Sequence, residues 1–105
     1  MHRSLFIPLL SLLSLVACVP STAIFIRTND VRAPARPAGC AFEIVTLTPS
    51  RPFQELGEVE TQSYVSYAEF RRQVGPIACA RGANAVVVRG QVLGSVDRGT
   101  LILVQ

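Results

Sequence analysis

The chain has 105 residues, enough for one domain at most, and its ten basic residues, all arginine, outnumber seven acidic ones. The net charge of +3 is spread along the sequence, with no block of five or six like charges. This distribution argues against an electrostatic tail for nucleic acid, and we expect no nucleic-acid partner.

The first 17 residues have the layout of a secretory signal. His2 and Arg3 form a short positive start, and an apolar run follows from Leu5 to Val16. This run of about a dozen residues is shorter than the roughly 20 that a helix needs to span a bilayer. We therefore interpret residues 1–17 as a signal peptide rather than a transmembrane helix.

The apolar run ends in the tetrapeptide Leu15-Val16-Ala17-Cys18, which resembles the lipobox of bacterial lipoproteins. In that family the cysteine is thioether-linked to diacylglycerol, the preceding peptide is removed, and the new amine is usually acylated. The resemblance implies that Cys18 is the lipidation site and that its acyl chains hold the protein on a lipid membrane. Because Val19 rather than aspartate follows, it also implies the outer membrane, on the periplasmic side, if the source is Gram-negative.

Two other interpretations of this N-terminal stretch are open. One is a conventional signal peptide in which Cys18 is incidental. The other is a buried core helix, against which Pro8 and the lack of a polar face both argue.

Cys40 and Cys79 remain once Cys18 is assigned to the lipid. An even pair in an exported, oxidising setting favours a disulfide. That bond would close a loop of roughly 40 residues, for which the chain-entropy model gives about 4 kcal/mol of stabilisation. Two reduced thiols or a metal pair are the alternatives. We expect no metal, because the only histidine, His2, leaves with the signal peptide and two sulfurs do not complete a tetrahedral site.

Residues 18–39 carry the lipidated cysteine and then several prolines, which predicts a tether between the membrane and a folded domain at residues 40–105. The tether has one apolar patch, Ala23 to Ile26, which could add a strand or cover a surface. At the start of the domain, Ala41–Thr48 and Leu56–Thr61 predict two strands separated by a proline-containing breaker.

The next segment predicts a helix. Ser66 and Glu69 form an S-x-x-E capping box at its start, and Gly82 is well placed to end it. Gly75-Pro76 predicts a kink or a division into two short helices. One apolar stripe follows at helical spacing: Tyr67, Phe70, Val74, Ile77 and Ala78.

Two strands complete the predicted domain. The first strand begins at Asn84 and continues through AVVVRGQVL. Gly94 to Gly99 form a turn, and Thr100–Val104 is the last strand. The predicted fold class is α+β: a small β-β-α-β-β domain in which one kinked helix packs on one four-stranded sheet.

The last two strands are apolar on both faces, whereas one helix covers only one face of a sheet. The second face therefore needs another cover: the Ile24–Ile26 segment, a second copy of the chain or a partner protein. We hypothesise the N-terminal segment first and self-association second.

The run ACARGANAVVV, from Ala78 to Val88, resembles the helix end and strand of RcsF-type outer-membrane lipoproteins and YbjQ-type proteins. The likeness extends to LGEV at Leu56–Val59 and to the terminal GTLILVQ. It implies the fold of those proteins over residues 40–105. From the RcsF-type group it also implies, as an alternative function, an envelope-stress sensor that signals through a protein partner.

The remaining motifs argue against catalysis. Residues 18–105 contain no histidine, which excludes Ser-His-Asp and Cys-His sites. A P-loop, a dinucleotide fingerprint and an EF-hand loop are all absent from the sequence, and we expect no cofactor and no enzymatic activity. Glu58 and Glu60 share a strand face but are typical of solvated charges.

Two interpretations are open for a group of aromatic and basic residues, Tyr64, Tyr67, Arg71 and Arg72. They form a small patch for a partner, or Tyr67 lies in the core and the arginines are solvated.

The sequence thus predicts a membrane-anchored lipoprotein with a non-enzymatic periplasmic domain for protein interaction or envelope structure. The stress sensor and, after it, a small-ligand or metal-binding module are the alternatives.

Overall fold

The computed structural model describes residues 22–105, so the predicted signal peptide and Cys18 lie outside the described residues. The elements in chain order are β1 (Ile24–Ile26), β2 (Glu43–Val45), β3 (Phe53–Ser66), α1 (Tyr67–Ala80), β4 (Ala85–Val92) and β5 (Ser95–Val104).

The five strands form one sheet in the order β1-β3-β5-β4-β2. All neighbours are antiparallel except β2 and β4, which run parallel. The predicted α+β class with one helix is confirmed for the described part of the chain. The prediction of four strands is wrong, because β1, within the stretch interpreted as a tether, pairs with β3 as a fifth strand.

Strand β1 extends the sheet at its edge and does not cover a face. Phe25 lies opposite Val59, and its neighbours Ile24 and Ile26 lie opposite Glu60 and Glu58. Successive side chains of a strand point to opposite faces, so Phe25 packs against the main core while both isoleucines stay exposed. The hypothesis that this segment covers the second sheet face is therefore wrong.

Helix α1 covers one face of the sheet and encloses the main core. Helical Phe70, Val74 and Ala78 are fully buried there against apolar side chains of the central strands. The strand residues of this core include Leu56, Val59, Val86, Val88, Val96 and Leu101.

The second face carries a smaller apolar cluster of its own. Ala85, Val87 and Ile102 are buried in it, with Phe53 and Val104 packed beside them. The loop between β2 and β3 borders this cluster, and its residues Leu47 and Pro49 line a cavity of about 350 Å³ together with Val45, Ala85 and Val104.

The helix begins at the predicted cap. The backbone N–H of Glu69 donates to Oγ of Ser66 at 3.2 Å. The Glu69 carboxylate accepts from Nε of Arg72 at 2.8 Å and Nε2 of Gln73 at 2.9 Å. The first half of the capping box is therefore present, and the carboxylate binds side chains one turn further along.

The helix continues through Pro76 as one element, so the alternative of two short helices is wrong. Gly82 follows the C-cap residue Arg81 with φ +83°. A Cβ at Gly82 would also lie 2.5 Å from the carbonyl oxygen of Pro34. This glycine therefore ends the helix and allows the segment before β2 to pack closely against the helix end.

Strands β3 and β5 are longer than the sequence predicts. The predicted turn from Gly94 to Gly99 is reduced to Leu93 and Gly94, with φ of 49° and 82°, and β5 begins at the next residue. Two positive φ values in a two-residue hairpin loop are typical of a type I′ turn. The β3–β5 ladder has irregularities after Glu55 and Glu60, which interrupt the alternating pattern on which the prediction relied.

Candidate functional site

The disulfide between Cys40 and Cys79 is present, as predicted, and joins residues 39 positions apart. Cys79 lies in the last turn of α1, whereas Cys40 follows a turn closed by its N–H donating to the carbonyl of Pro37 at 3.1 Å. The bond therefore fastens the segment before β2 to the C-terminal end of the helix.

Arg36 reinforces the same junction through three hydrogen bonds. Its backbone N–H donates to the carbonyl of Cys79 at 2.7 Å. Its Nη1 donates to the carbonyls of Ala41 and Ala83, each at 2.8 Å. Because one side chain links two stretches of backbone, the segment is held against the helix end by polar contacts as well as by the covalent bond.

An apolar groove lies beside this junction, between the segment and the helix. We call it the disulfide groove. Its volume is about 530 Å³, within the range of small-molecule sites. Its lining includes Ala35, Arg36, Cys40, Phe42, Arg71, Gly75, Pro76, Cys79 and Ala80.

Arg71 supplies the charge at one wall of the groove. Its guanidinium lies 4.9 Å from the centroid of the Phe42 ring, and its Nη1 donates to the Phe42 carbonyl at 3.0 Å. The lining contains no acidic residue. The groove can therefore receive an apolar group and place a negatively charged neighbour of that group beside a guanidinium.

A second concave surface lies near β1 at the same end of the helix. Three arginines, Arg27, Arg32 and Arg81, line a cavity of about 190 Å³ there. We call these three residues the arginine cluster. The guanidinium carbons of Arg81 and Arg27 lie 4.0 Å and 5.5 Å from the centroid of the Phe25 ring, so one aromatic side chain positions two of the three cations.

The Phe25 ring is itself held by close packing on Gly57. A Cβ at Gly57 would lie 2.5 Å from two carbons of that ring, and Gly57 has φ +146°. The bulge in β3 at this glycine therefore makes room for the ring on the sheet.

The electrostatics of the cluster are unfavourable in the free protein. Desolvation lowers the pKa of Arg27, and the positive charges of Arg32 and Arg81 lower it further, whereas Asp30 opposes the shift. Within residues 22–105 no carboxylate forms an ion pair with any of the three, since the two pairs there are Arg72–Glu69 and Arg98–Asp97.

Three of the four residues considered as an aromatic and basic patch make other contacts. Tyr67 packs against the main core, and Arg72 pairs with Glu69. Arg71 stacks on Phe42, which the sequence did not predict as its partner. Tyr64 stays largely exposed on β3.

No sequence motif predicts the arginine cluster. Arg27 and Arg32 lie in the predicted tether, whereas Arg81 follows the helix almost fifty residues later. They converge because β1 joins the sheet and the following residues pack on the helix end, where Pro34 contacts Gly82. Neither the pairing of β1 nor the packing at the helix end is marked by a sequence motif.

Between Thr22 and Gln105, no three histidine, cysteine or acidic side chains are grouped so that they could hold a metal ion. In the same part of the chain, α1 is too short and too polar to cross a membrane.

Comparison with protein-family models, with curated proteins and with solved structures finds no match to this chain.

Proposed function

We propose that the protein is a membrane-anchored bacterial lipoprotein whose exported, non-enzymatic domain binds a protein partner in the cell envelope. The observation that supports this most is the disulfide between Cys40 and Cys79. Such bonds form and persist in oxidising compartments outside the cytosol. The bond uses two of the three cysteines and leaves Cys18 for the thioether that the lipobox resemblance implies.

Lipidation gives the N-terminal stretch a physical role. A single acyl chain binds a membrane weakly and reversibly, whereas two or three chains give stable attachment. The domain would then be held near the membrane surface through the residues between Cys18 and β1, on the periplasmic side of the outer membrane.

The disulfide groove is the proposed contact surface for the partner. It is mostly apolar, it has arginine as its only charged residue type, and it is bordered by a covalently fixed segment. These properties fit a peptide segment that inserts an apolar side chain and presents a carboxylate to Arg71.

Metabolic labelling with palmitate tests the anchor. The wild-type protein should incorporate label and sediment with membranes, and Cys18→Ala should do neither. The double variant Cys40→Ala/Cys79→Ala is the control, because it removes two cysteines and keeps the proposed lipid site. Equal labelling of wild type and Cys18→Ala would contradict the proposal.

Crosslinking in cells tests the groove. Ala80→Arg places a long cation among the groove's lining residues, and we expect it to abolish crosslinked adducts of the wild-type protein. Ala68→Arg is the matched control, since Ala68 is an exposed alanine of the same helix that does not line the groove. Adducts that survive Ala80→Arg would show that the partner binds elsewhere.

A further inference from the structure

The arginine cluster combines three features that together indicate a ligand. Three guanidiniums line one small cavity, two of them are positioned by the same aromatic ring, and no carboxylate of residues 22–105 pairs with them. Like charges brought together without ion pairs repel one another, and Asp30 offsets only part of this repulsion. A bound anion would remove that cost.

The backbone around the cluster is held in place. Oδ1 of Asn29 accepts from the N–H of Val31 at 2.9 Å, and Nδ2 of the same residue donates to the carbonyl of Glu55 on β3 at 3.1 Å. On the other side, the N–H of Arg81 donates to the carbonyl of Ile77 at 2.9 Å. The loop that carries Arg32 and the helix end that carries Arg81 are therefore both fixed before a ligand binds.

The chemistry of the side chains selects the class of anion. Guanidinium presents planar pairs of N–H donors that match phosphate and carboxylate oxygens. Asp30 lies near Arg27 and offsets part of the positive charge, so the cluster keeps a net positive charge that favours an anion with several acceptor oxygens. We propose that the arginine cluster binds a phosphate group.

Membrane lipids are the nearest source of that group if the proposed anchor is correct, and this part of the inference rests on the proposed function. Ile24, the first residue of β1, lies six positions after Cys18, a span of at most about 21 Å. A lipidated Cys18 would therefore keep β1 and the cluster close to the headgroup phosphates. A soluble phosphate compound is the other source, and the experiment distinguishes the two.

The test uses the chain from residue 18 with Cys18→Ser, so that acylation cannot contribute to binding. This chain retains every strand, the helix and the disulfide of the described structure. In the first arm, the thermal midpoint is compared in inorganic phosphate and in chloride at equal ionic strength. In the second arm, the protein is floated with phosphatidylglycerol-containing vesicles or with pure phosphatidylcholine vesicles.

Arg32→Gln is the test variant, because within the described residues the Arg32 side chain makes no hydrogen bond, ion pair or aromatic contact whose loss would disturb folding. Arg89→Gln is the control of equal charge; Arg89 Nε donates to Oγ1 of Thr100 at 3.0 Å, away from the cluster. An unchanged midpoint of Arg32→Gln in chloride verifies that this variant is folded.

We expect phosphate to raise the wild-type midpoint by about 4 °C or more at saturating concentration. Arg32→Gln should weaken phosphate affinity roughly tenfold, while Arg89→Gln should keep it. Vesicle binding that depends on phosphatidylglycerol and on Arg32 supports the lipid source. Phosphate binding without vesicle binding supports the site and overturns the lipid source.

No phosphate-dependent shift in the wild type, or equal weakening by Arg32→Gln and Arg89→Gln, would overturn the site itself. These outcomes are independent of the anchor, because palmitate labelling tests Cys18 in a separate experiment. A negative labelling result with positive phosphate binding would reject the lipoprotein proposal and leave the phosphate site standing.

Discussion

Gly57 is a residue at which the fold leaves no room for a side chain. An added Cβ would lie 2.5 Å from the Phe25 ring and 2.9 Å from the carbonyl oxygen of Ile26, at φ +146°. We expect Gly57→Ala to lower the free energy of unfolding by about 2–4 kcal/mol, from overpacking and backbone strain together. Urea denaturation measures this change.

Gly39→Ala is the matched control for that substitution. Gly39 also has a positive φ, +78°, but its Cβ would meet no atom within 4 Å. Only the backbone penalty remains there, about 1 kcal/mol. Equal losses in the two variants would mean that Phe25 does not pack on Gly57.

Glu69 makes the stability of the helix start depend on pH. Hydrogen bonds from Arg72 and then Gln73 lower its pKa to about 2, against about 4.3 in an unfolded chain. A carboxylate whose pKa falls on folding stabilises the protein above the unfolded pKa and loses that contribution as pH falls through the folded pKa. The stabilisation is therefore present at neutral pH and is lost between about pH 4.3 and 2.

Glu69→Gln should accordingly be less stable than the wild type at pH 7, and the difference should shrink below pH 4.3 and disappear near pH 2. Thermal midpoints of both proteins at pH 7, 5, 3 and 2 measure this convergence. A difference that stays constant over the series would show that the Glu69 carboxylate does not act through its ionised form.

At the scale of elements, the disulfide joins the end of α1 to the segment that leads into β2. We expect Cys40→Ala/Cys79→Ala to lose about 2–4 kcal/mol of stability, because the bond limits the freedom of a long loop in the unfolded chain. The wild type in reductant should lose a similar amount. A loss well below 1 kcal/mol in both would mean that the contacts of Arg36 hold the segment without the bond.

The elements also show which structural features the sequence could predict. The helix was predictable because its signals are local: Ser66 caps its start and Gly82 ends it. Strand β1 was harder, because three residues give little pattern and its pairing with β3 joins positions more than thirty residues apart. Bulges in β3 concealed its full length, since each one reverses the alternation of inward and outward side chains.

The candidate sites differ in predictability for the same reason. The disulfide was predictable because two cysteines remain after Cys18 is assigned to the lipid, in a protein expected to be exported. The disulfide groove and the arginine cluster were not, because they depend on the pairing of β1 with β3 and on long-range packing of residues 31–42 against α1. Arg71 meets Phe42, and Arg81 meets Phe25, only after that packing.

At the scale of the whole molecule, the proposed anchor, arginine cluster and groove follow one another along the chain. Cys18 precedes β1, which positions Phe25. Two arginines of the cluster, Arg27 and Arg32, follow β1 in the chain. The segment between Arg32 and β2 then forms a wall of the groove. In this arrangement the cluster is close in sequence to the membrane attachment and the groove is further from it. The proposed domain is thus held by lipid next to β1 and binds a partner at the neighbouring groove, since Ala80 lines both cavities.

The mass of the mature protein tests the central claim most directly. Intact-mass and N-terminal peptide spectra of the chain purified from its native membranes should show that it begins at Cys18. Diacylglycerol should be attached to that sulfur, and Cys40 and Cys79 should be joined by a disulfide. A chain that retains residues 1–17, or one that begins near Cys18 with an unmodified thiol, would contradict the account.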